Sequence, residues 1–432
     1  MKSMLITRLP SQSYGVAKAR RWSLVTVYAL LISAANIFPQ GSLTPPGPPA
    51  PTMKTLDQVE ARTPIDATHT PGDASNEFII AQAGSYYLTG DLNVAKTNGI
   101  HITAAGVTLD LNGFQIARTS GTAGNGITVD ARAGSNCTVR NGSISFVGGN
   151  GFLATVSRGG AISHVIASNC AIGLAAGDGW RIDSCNAHDN TGDGIQTGFG
   201  CTISHCTAFA NGSIGINIGA ASTIVDSTAV GNQGFAGINT SSGCTLAHCT
   251  AGRNTSALSL SAGISTGPAC TITACTAEGN TSTFAPLSGA TGAGIIAGGD
   301  STVQNCLASF NKGDGIRALN DCSIVANVSS HNGSFSGGDG AGVHVTDRSN
   351  RIEGNNVTTN TRGIEVSAAG NLIIKNSARS SGTSNAGNYV IAADNRYGPI
   401  VDINATGSVA VSGKGPFTST LTSTDPWANF SY

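Results

Sequence analysis

The chain has 432 residues, with Gly at 58 positions, aromatic residues at 5% and charged residues at 11%. So few large side chains argue against a compact globule, and the regular β-branched residues argue against disorder. The formal net charge is −1; beyond residues 1–40, which hold five basic residues and no acidic one, 18 Lys and Arg face 24 Asp and Glu, so no basic stripe remains for nucleic acid.

The basic stretch to Arg21 precedes an apolar run from Trp22 to Phe38, the order of a secretory signal, and residues 1–40 are expected to be that signal. The run is short for a membrane span, which needs about 20 apolar residues; a single membrane anchor is the alternative. Cleavage is expected after Ala35 or nearer Gln40, and no Cys lies there to mark a lipoprotein. Residues 41–51 are Pro-rich, and 41–77 are expected to form an extended linker and N-terminal extension.

From there a Gly followed by an apolar residue recurs. The apolar anchors are Ile100, Ile127, Phe152, Leu174, Ile195, Ile216, Ile238, Ile264, Ile295, Ile316, Val343 and Ile364; six of the eleven gaps are 21 or 22 residues and the rest are longer. A fixed coil with loop insertions gives this pattern. Eight residues after the anchor stand Ile182, Ile203, Ile224, Leu246, Ile272, Val303 and Ile324. Sixteen after it stand Asn190, Asn211, Asn232, Asn254, Asn280, Asn311 and Asn332. Each coil thus holds three short strands with one or two inward apolar residues. One coil cannot bury these, so coils must stack about 4.8 Å apart and cover one another. The expected fold is all-β: a right-handed parallel β-helix solenoid of about 12 coils over residues 78–381, 21–22 residues per coil. In the Asn ladder, amides bond from coil to coil and the Asn residues take the left-handed backbone of a turn. A propeller would need a period near 40, and a left-handed hexapeptide helix a shorter coil of about 18. Residues 382–432 lose the Asn and Gly-Ile register and are expected to form a C-terminal cap and tail, with Trp427, Phe430 and Tyr432 against the last coils. Phe78–Leu92 is expected to close the other end.

The eleven cysteines fall mostly six and eleven residues after the anchor. That register makes them core filler and buried free thiols. Disulfides between coils and a metal site are the alternatives, and the C-x-x-x-x-C spacing of Cys201/Cys206, Cys244/Cys249 and Cys270/Cys275 departs from the usual zinc pattern. No cofactor or metal is called for.

The Gly-Ile anchors, the Asn ladder and the segment NGIHITAAGVTLDLNGFQI resemble the right-handed parallel β-helix superfamily, which includes pectate lyases, polygalacturonases, alginate-modifying enzymes and phage tailspikes. Gly41 to Ile65, GSYYLTGDL and NRYGPIV resemble bacterial secreted members. The resemblance implies a fold and no particular activity. It implies a protein in the medium, the periplasm or at the surface of a bacterium, with no membrane span once the signal is removed.

In such enzymes chemistry sits on the outer face of one sheet. Here the insertions Thr255–Ala262, Thr281–Ala293 and Gly333–Ala341 all fall just before an anchor strand and are expected on one edge. One residue past the anchor, successive coils carry Arg317, His344 and Glu365, with Asp314 and Asp339 in the turns before those strands. A carboxylate, a guanidinium and an imidazole within reach of one another suit acid/base work on a sugar, so these five are the candidate catalytic residues. The bland alternative is an ordinary polar strand face. Gly-Asp-Gly surrounds Asp178, Asp193, Asp314 and Asp339; the placement of Asp193 and Asp314 resembles the aspartate of the polygalacturonase Asn-Thr-Asp-Gly motif, but that family's other motifs are missing. Turn capping is the competing role. His205 and His248 share a position two coils apart, too far for one metal. Trp180 takes a Cys ladder position and is expected in the core, leaving few aromatics for sugar stacking. The sequence therefore points to a structural or glycan-binding exoprotein, with a polysaccharide lyase or glycoside hydrolase acting on coils 238–365 as the alternative.

Overall fold

The computed structural model describes residues 62–118, 124–131, 133, 135–284, 291–333, 340–380, 387–402 and 424–432. The expected signal, 1–40, lies outside them. Among the described residues, fourteen parallel strands from Asn76–Ile80 to Tyr389–Ile391 form one sheet, here the anchor sheet, and define about thirteen turns of a β-solenoid. Its register is that of the sequence repeat: Ile195, Ile216, Ile238, Ile264, Ile295, Ile316, Val343 and Ile364 stand in line, one above the next. The other two strands of each coil join in a bent 28-stranded sheet, because Cys137–Ser145 and Gly160–Ser168 run unbroken through the corner between them.

The core follows from three inward columns. The anchor column is fully buried, as are Ile182, Ile203, Ile224 and Leu246 on the second strand and Ala187, Ala208, Ala229 and Ala251 on the third. Two large columns against one of Ala give a narrow cross-section that small side chains can fill. Trp180 does enter this core, edge-on to Phe152 at 5.3 Å, and Gly160 makes room for it: a Cβ there would lie 2.5 Å from the indole ring.

The corners explain why coils of 21 residues can be so regular. In a typical coil three residues have left-handed backbone, for example Gly200, His205 and Ala210 with φ of 68°, 52° and 53°. The residue after each points inward: Cys201, Cys206 and Asn211, all buried. This corrects the expectation that the Asn itself is left-handed. The left-handed residue turns the chain and projects outward, which frees the next side chain to bond inside the corner. Asn211 Nδ2 donates to Ala187 O of the coil before (3.0 Å) and to Asn232 Oδ1 of the coil after (2.9 Å), while Asn232 Oδ1 also accepts the Asn211 N–H at 3.0 Å. The same ladder runs from Asn190 to Asn332 and on to Asn360.

All eleven cysteines are buried and unbridged. They are more than apolar filler. Cys206 Sγ donates to Ser204 O at 3.1 Å, and its N–H donates to Ser227 Oγ at 3.2 Å; Cys306 N–H donates to Asn327 Oδ1 at 2.9 Å. Cys, Ser and Asn are thus interchangeable at these corners because each presents a short acceptor to the coil before. Burial pushes the Cys137 and Cys170 thiols up to about 12 and about 11.

The ends extend the solenoid beyond the repeat legible in the sequence. Thr63–Pro64 already pairs with Tyr86 and Tyr87, and Arg62 lies over the Tyr87 ring at 4.7 Å. At the other end Tyr389 stacks on Ile364, and Asn395 and Asn429 continue the Asn columns from Asn371 and Asn376. Asn395 and Asn429 thus carry the ladder on after residue 381. Trp427 lies against Lys375 at 4.5 Å and remains 47% exposed.

Candidate functional site

The position after the anchor faces outward on the anchor sheet, and the register pairs Arg317 with His344 and His344 with Glu365. Asp314, two residues before its anchor, is fully buried beneath them. Its Oδ1 accepts the N–H of Ala341 at 2.8 Å, and its Oδ2 lies 2.8 Å from His344 Nδ1 and 3.1 Å from Arg317 Nη1. A carboxylate only accepts, so the His344 proton sits on Nδ1 and two donors converge on one oxygen. His344 Nε2 then faces the exposed Ser367 Oγ at 3.0 Å. Glu365 stands farther off, 3.9 Å from Nε2, because Arg362 Nε holds its carboxylate at 2.6 Å.

Four of the five expected residues therefore meet in one cluster; Asp339 lies outside the described residues. Ser367 and Arg362 were missed from sequence. Ser367 stands three residues past the anchor, where Gly177, Gly198, Gly219, Gly267 and Gly298 stand in other coils. Ser241, Leu319 and Thr346 also replace glycine at this position, so the sequence held no signal that singled out Ser367.

Asp193 repeats the arrangement of Asp314 five coils earlier in the chain, with a neutral partner. Its Oδ1 accepts the N–H of Ile214 at 3.0 Å and its Oδ2 accepts Asn217 Nδ2 at 2.9 Å. Both Gly-Asp-Gly aspartates thus hold the next coil's turn and aim at the next coil's outward side chain. Capping and positioning are one geometry here.

From Asn217 the polar chain continues, Asn239 Nδ2 donating to Asn217 Oδ1 at 2.9 Å. These amides, with Gln196, Ser265, Thr240 and Thr266, line an open trough of about 530 Å³ on the anchor sheet. Gly219 and Gly267 line it beside Ser241, and a Cβ on Gly219 would lie 2.5 Å from the Gly198 backbone, so that coil approaches its neighbour too closely for a side chain at this position. None of the described residues of the insertions lines the trough. The described parts of two insertions, Thr255–Ser256 and Thr281–Ser282, pair as a small separate sheet.

Exposed aromatics are more numerous than the sequence suggested: Phe146, Phe199, Phe209 and Phe310 are 42–59% exposed. On another face His205 and His248 flank Asp226 at 3.8 and 3.7 Å, and the Ser204 hydroxyl together with His205 holds the Asp183 carboxyl down to about 2. No group of three or more His, Cys, Asp or Glu able to hold a metal ion occurs among the described residues. No helix among them is long and apolar enough to cross a membrane.

A family model for the right-handed β-helix region matches residues 98–256 and 252–379. Comparison with curated proteins gives no sequence match. Among solved structures, the A-module of the Azotobacter vinelandii mannuronan C-5 epimerase AlgE4 is 18% identical, with 67% of this chain and 87% of that chain covered and a TM-score of 0.40. The A-module of AlgE6 from the same organism is 14% identical, with coverage of 74% and 92% and a TM-score of 0.43. Tailspike protein 3 of bacteriophage CBA120 is 14% identical, with coverage of 74% and 55% and a TM-score of 0.43. Identities of this size transfer no activity.

Proposed function

The chain belongs to the right-handed β-helix family, and from that premise we propose that it is an exported protein whose anchor sheet binds a polysaccharide. The observation that carries this reading is the amide-lined trough. Asn and Gln side chains each offer a donor and an acceptor, which suits a ligand made of hydroxyl groups. A stacked solenoid repeats those amides about every 4.8 Å along the sheet, so successive sugar units of an extended chain meet equivalent groups.

The test is affinity electrophoresis and calorimetry against a panel of neutral and acidic polysaccharides. Asn239→Ala and Gln196→Ala are expected to weaken binding at least about tenfold each, with little change in thermal midpoint, because both side chains face solvent. Equal affinity of the variants and the parent, or no binding to any glycan, would sink the reading.

A second reading, in which the surface also processes its glycan, is favoured by one observation: the buried contact of Asp314 with His344. Asp193 makes the same turn contact with a neutral Asn217; at Asp314 the partner is an imidazole, a group able to move a proton.

A further inference from the structure

We infer that Ser367, His344 and Asp314 form a nucleophile–base–carboxylate triad that hydrolyses ester substituents on a polysaccharide. The substrate class rests on the glycan-binding reading above; the triad rests on geometry alone. Three features carry it. The two ring nitrogens of His344 are engaged on opposite sides, Nδ1 by Asp314 at 2.8 Å and Nε2 by Ser367 at 3.0 Å. That is the arrangement in which a serine is activated by a base and the base is oriented by a third group. Accessibility is graded in the right sense: the Asp314 side chain is 0% exposed, that of His344 11%, and Ser367 is exposed. The nearby alternative partner is withdrawn, since Glu365 is bound by Arg362.

The same geometry disfavours a two-carboxylate glycosidase among the described residues of this cluster. Such enzymes need both carboxyl groups at the sugar. Asp314 is buried and already shared by Ala341, His344 and Arg317, so it reaches no substrate. Acyl transfer needs one nucleophile, one base and donors for the developing oxyanion. The N–H of the residue after a serine nucleophile commonly serves as such a donor. The N–H groups of Ala368 and Ala369 make no hydrogen bond among the described residues.

The chemistry balances with water as the only co-reactant. Ser367 Oγ attacks the acyl carbonyl carbon as its proton passes to His344 Nε2. The bond from that carbon to the sugar oxygen breaks, and the sugar oxygen takes the proton from Nε2. Water then gives a proton to Nε2 and its oxygen to the acyl carbon. The Ser367 ester bond breaks, Oγ recovers the proton, and a carboxylic acid leaves. Ser367 and His344 are the catalytic residues. Asp314 is a positioning residue that acts through the imidazole.

The test combines covalent labelling and turnover on the full chain. A fluorophosphonate is expected to label Ser367, identified by mass spectrometry, and p-nitrophenyl acetate and an O-acetylated soluble polysaccharide are expected to release acetate. Ser367→Ala, at an exposed position, should abolish labelling and lower turnover at least about 10³-fold, while leaving the thermal midpoint unchanged. Asp314→Asn keeps the shape of the side chain; it should lower kcat with KM held, which a merely structural defect would not do. An unlabelled Ser367 in protein that still binds polysaccharide overturns the triad and leaves the binding surface. Labelling that persists undiminished in His344→Gln also overturns it. Labelled, ester-cleaving protein that binds no glycan supports the triad and removes the glycan-binding reading instead.

Discussion

At the scale of single residues, the molecule is governed by what stands inside each corner. A ladder Asn such as Asn232 satisfies a carbonyl of the coil before and two donors of that same coil, all buried. Asn232→Ala leaves these groups unpaired, and each buried unpaired group costs about 1–3 kcal/mol. A loss of at least about 2 kcal/mol is expected in denaturant unfolding; a loss below about 0.5 kcal/mol would show that the ladder bonds are replaced by water. The cysteines give a pH prediction. Burial raises Cys137 to about 12 and Cys170 to about 11 from an ordinary 9.0. Unfolded thiols lose their protons first, so this contribution to stability is complete below about pH 9 and is lost as pH rises towards 11–12. The unfolding midpoint is expected to fall between pH 9 and 11, and to fall less steeply in Cys137→Ala. Equal slopes would sink that assignment.

At the scale of the coil, two kinds of glycine do different work. Gly200 has φ of 68° and no heavy atom within 4 Å of the place a Cβ would take. Its equivalents in neighbouring coils include Ala221 and Asp300, also left-handed. Gly200→Asn is therefore expected within about 0.5 kcal/mol of the parent, since Asn tolerates that backbone best. Gly219 has no positive φ, but a side chain there meets the Gly198 backbone at 2.5 Å. Gly219→Ala should cost about 1–3 kcal/mol, the usual range for overpacking. Thermal unfolding of the two variants side by side checks the distinction. The strands and their register were legible in the sequence because a side chain on a repeating coil has only one column to join. The corner was legible only in part: the Asn period showed where the ladder runs, while which residue carries the left-handed backbone depends on where the carbonyls of the preceding coil point.

At the scale of the whole solenoid, stability belongs to stacked neighbours rather than to any coil alone. The last coils are completed by residues far along the chain. Tyr389 OH donates to Asn376 O and Phe430 O at 2.8 and 2.9 Å, and Asn429 caps the column below Asn376. Truncation after residue 381 removes all of these and opens a parallel edge. A lower thermal midpoint and concentration-dependent aggregation are expected by scattering; an unchanged midpoint would show that the end segment is dispensable.

By itself, the sequence determined the solenoid, its anchor column, the buried cysteines and the place of Arg317, His344 and Glu365 on successive coils. It could do so because these depend on a period, and a period survives without coordinates. The tertiary structure decided what the period cannot carry. It put Ser367 on the free nitrogen of His344, buried Asp314 under the other, and paired Glu365 with Arg362. Those contacts join side chains at different heights on adjacent coils, and their distances are set by rotamers and turn geometry rather than by register.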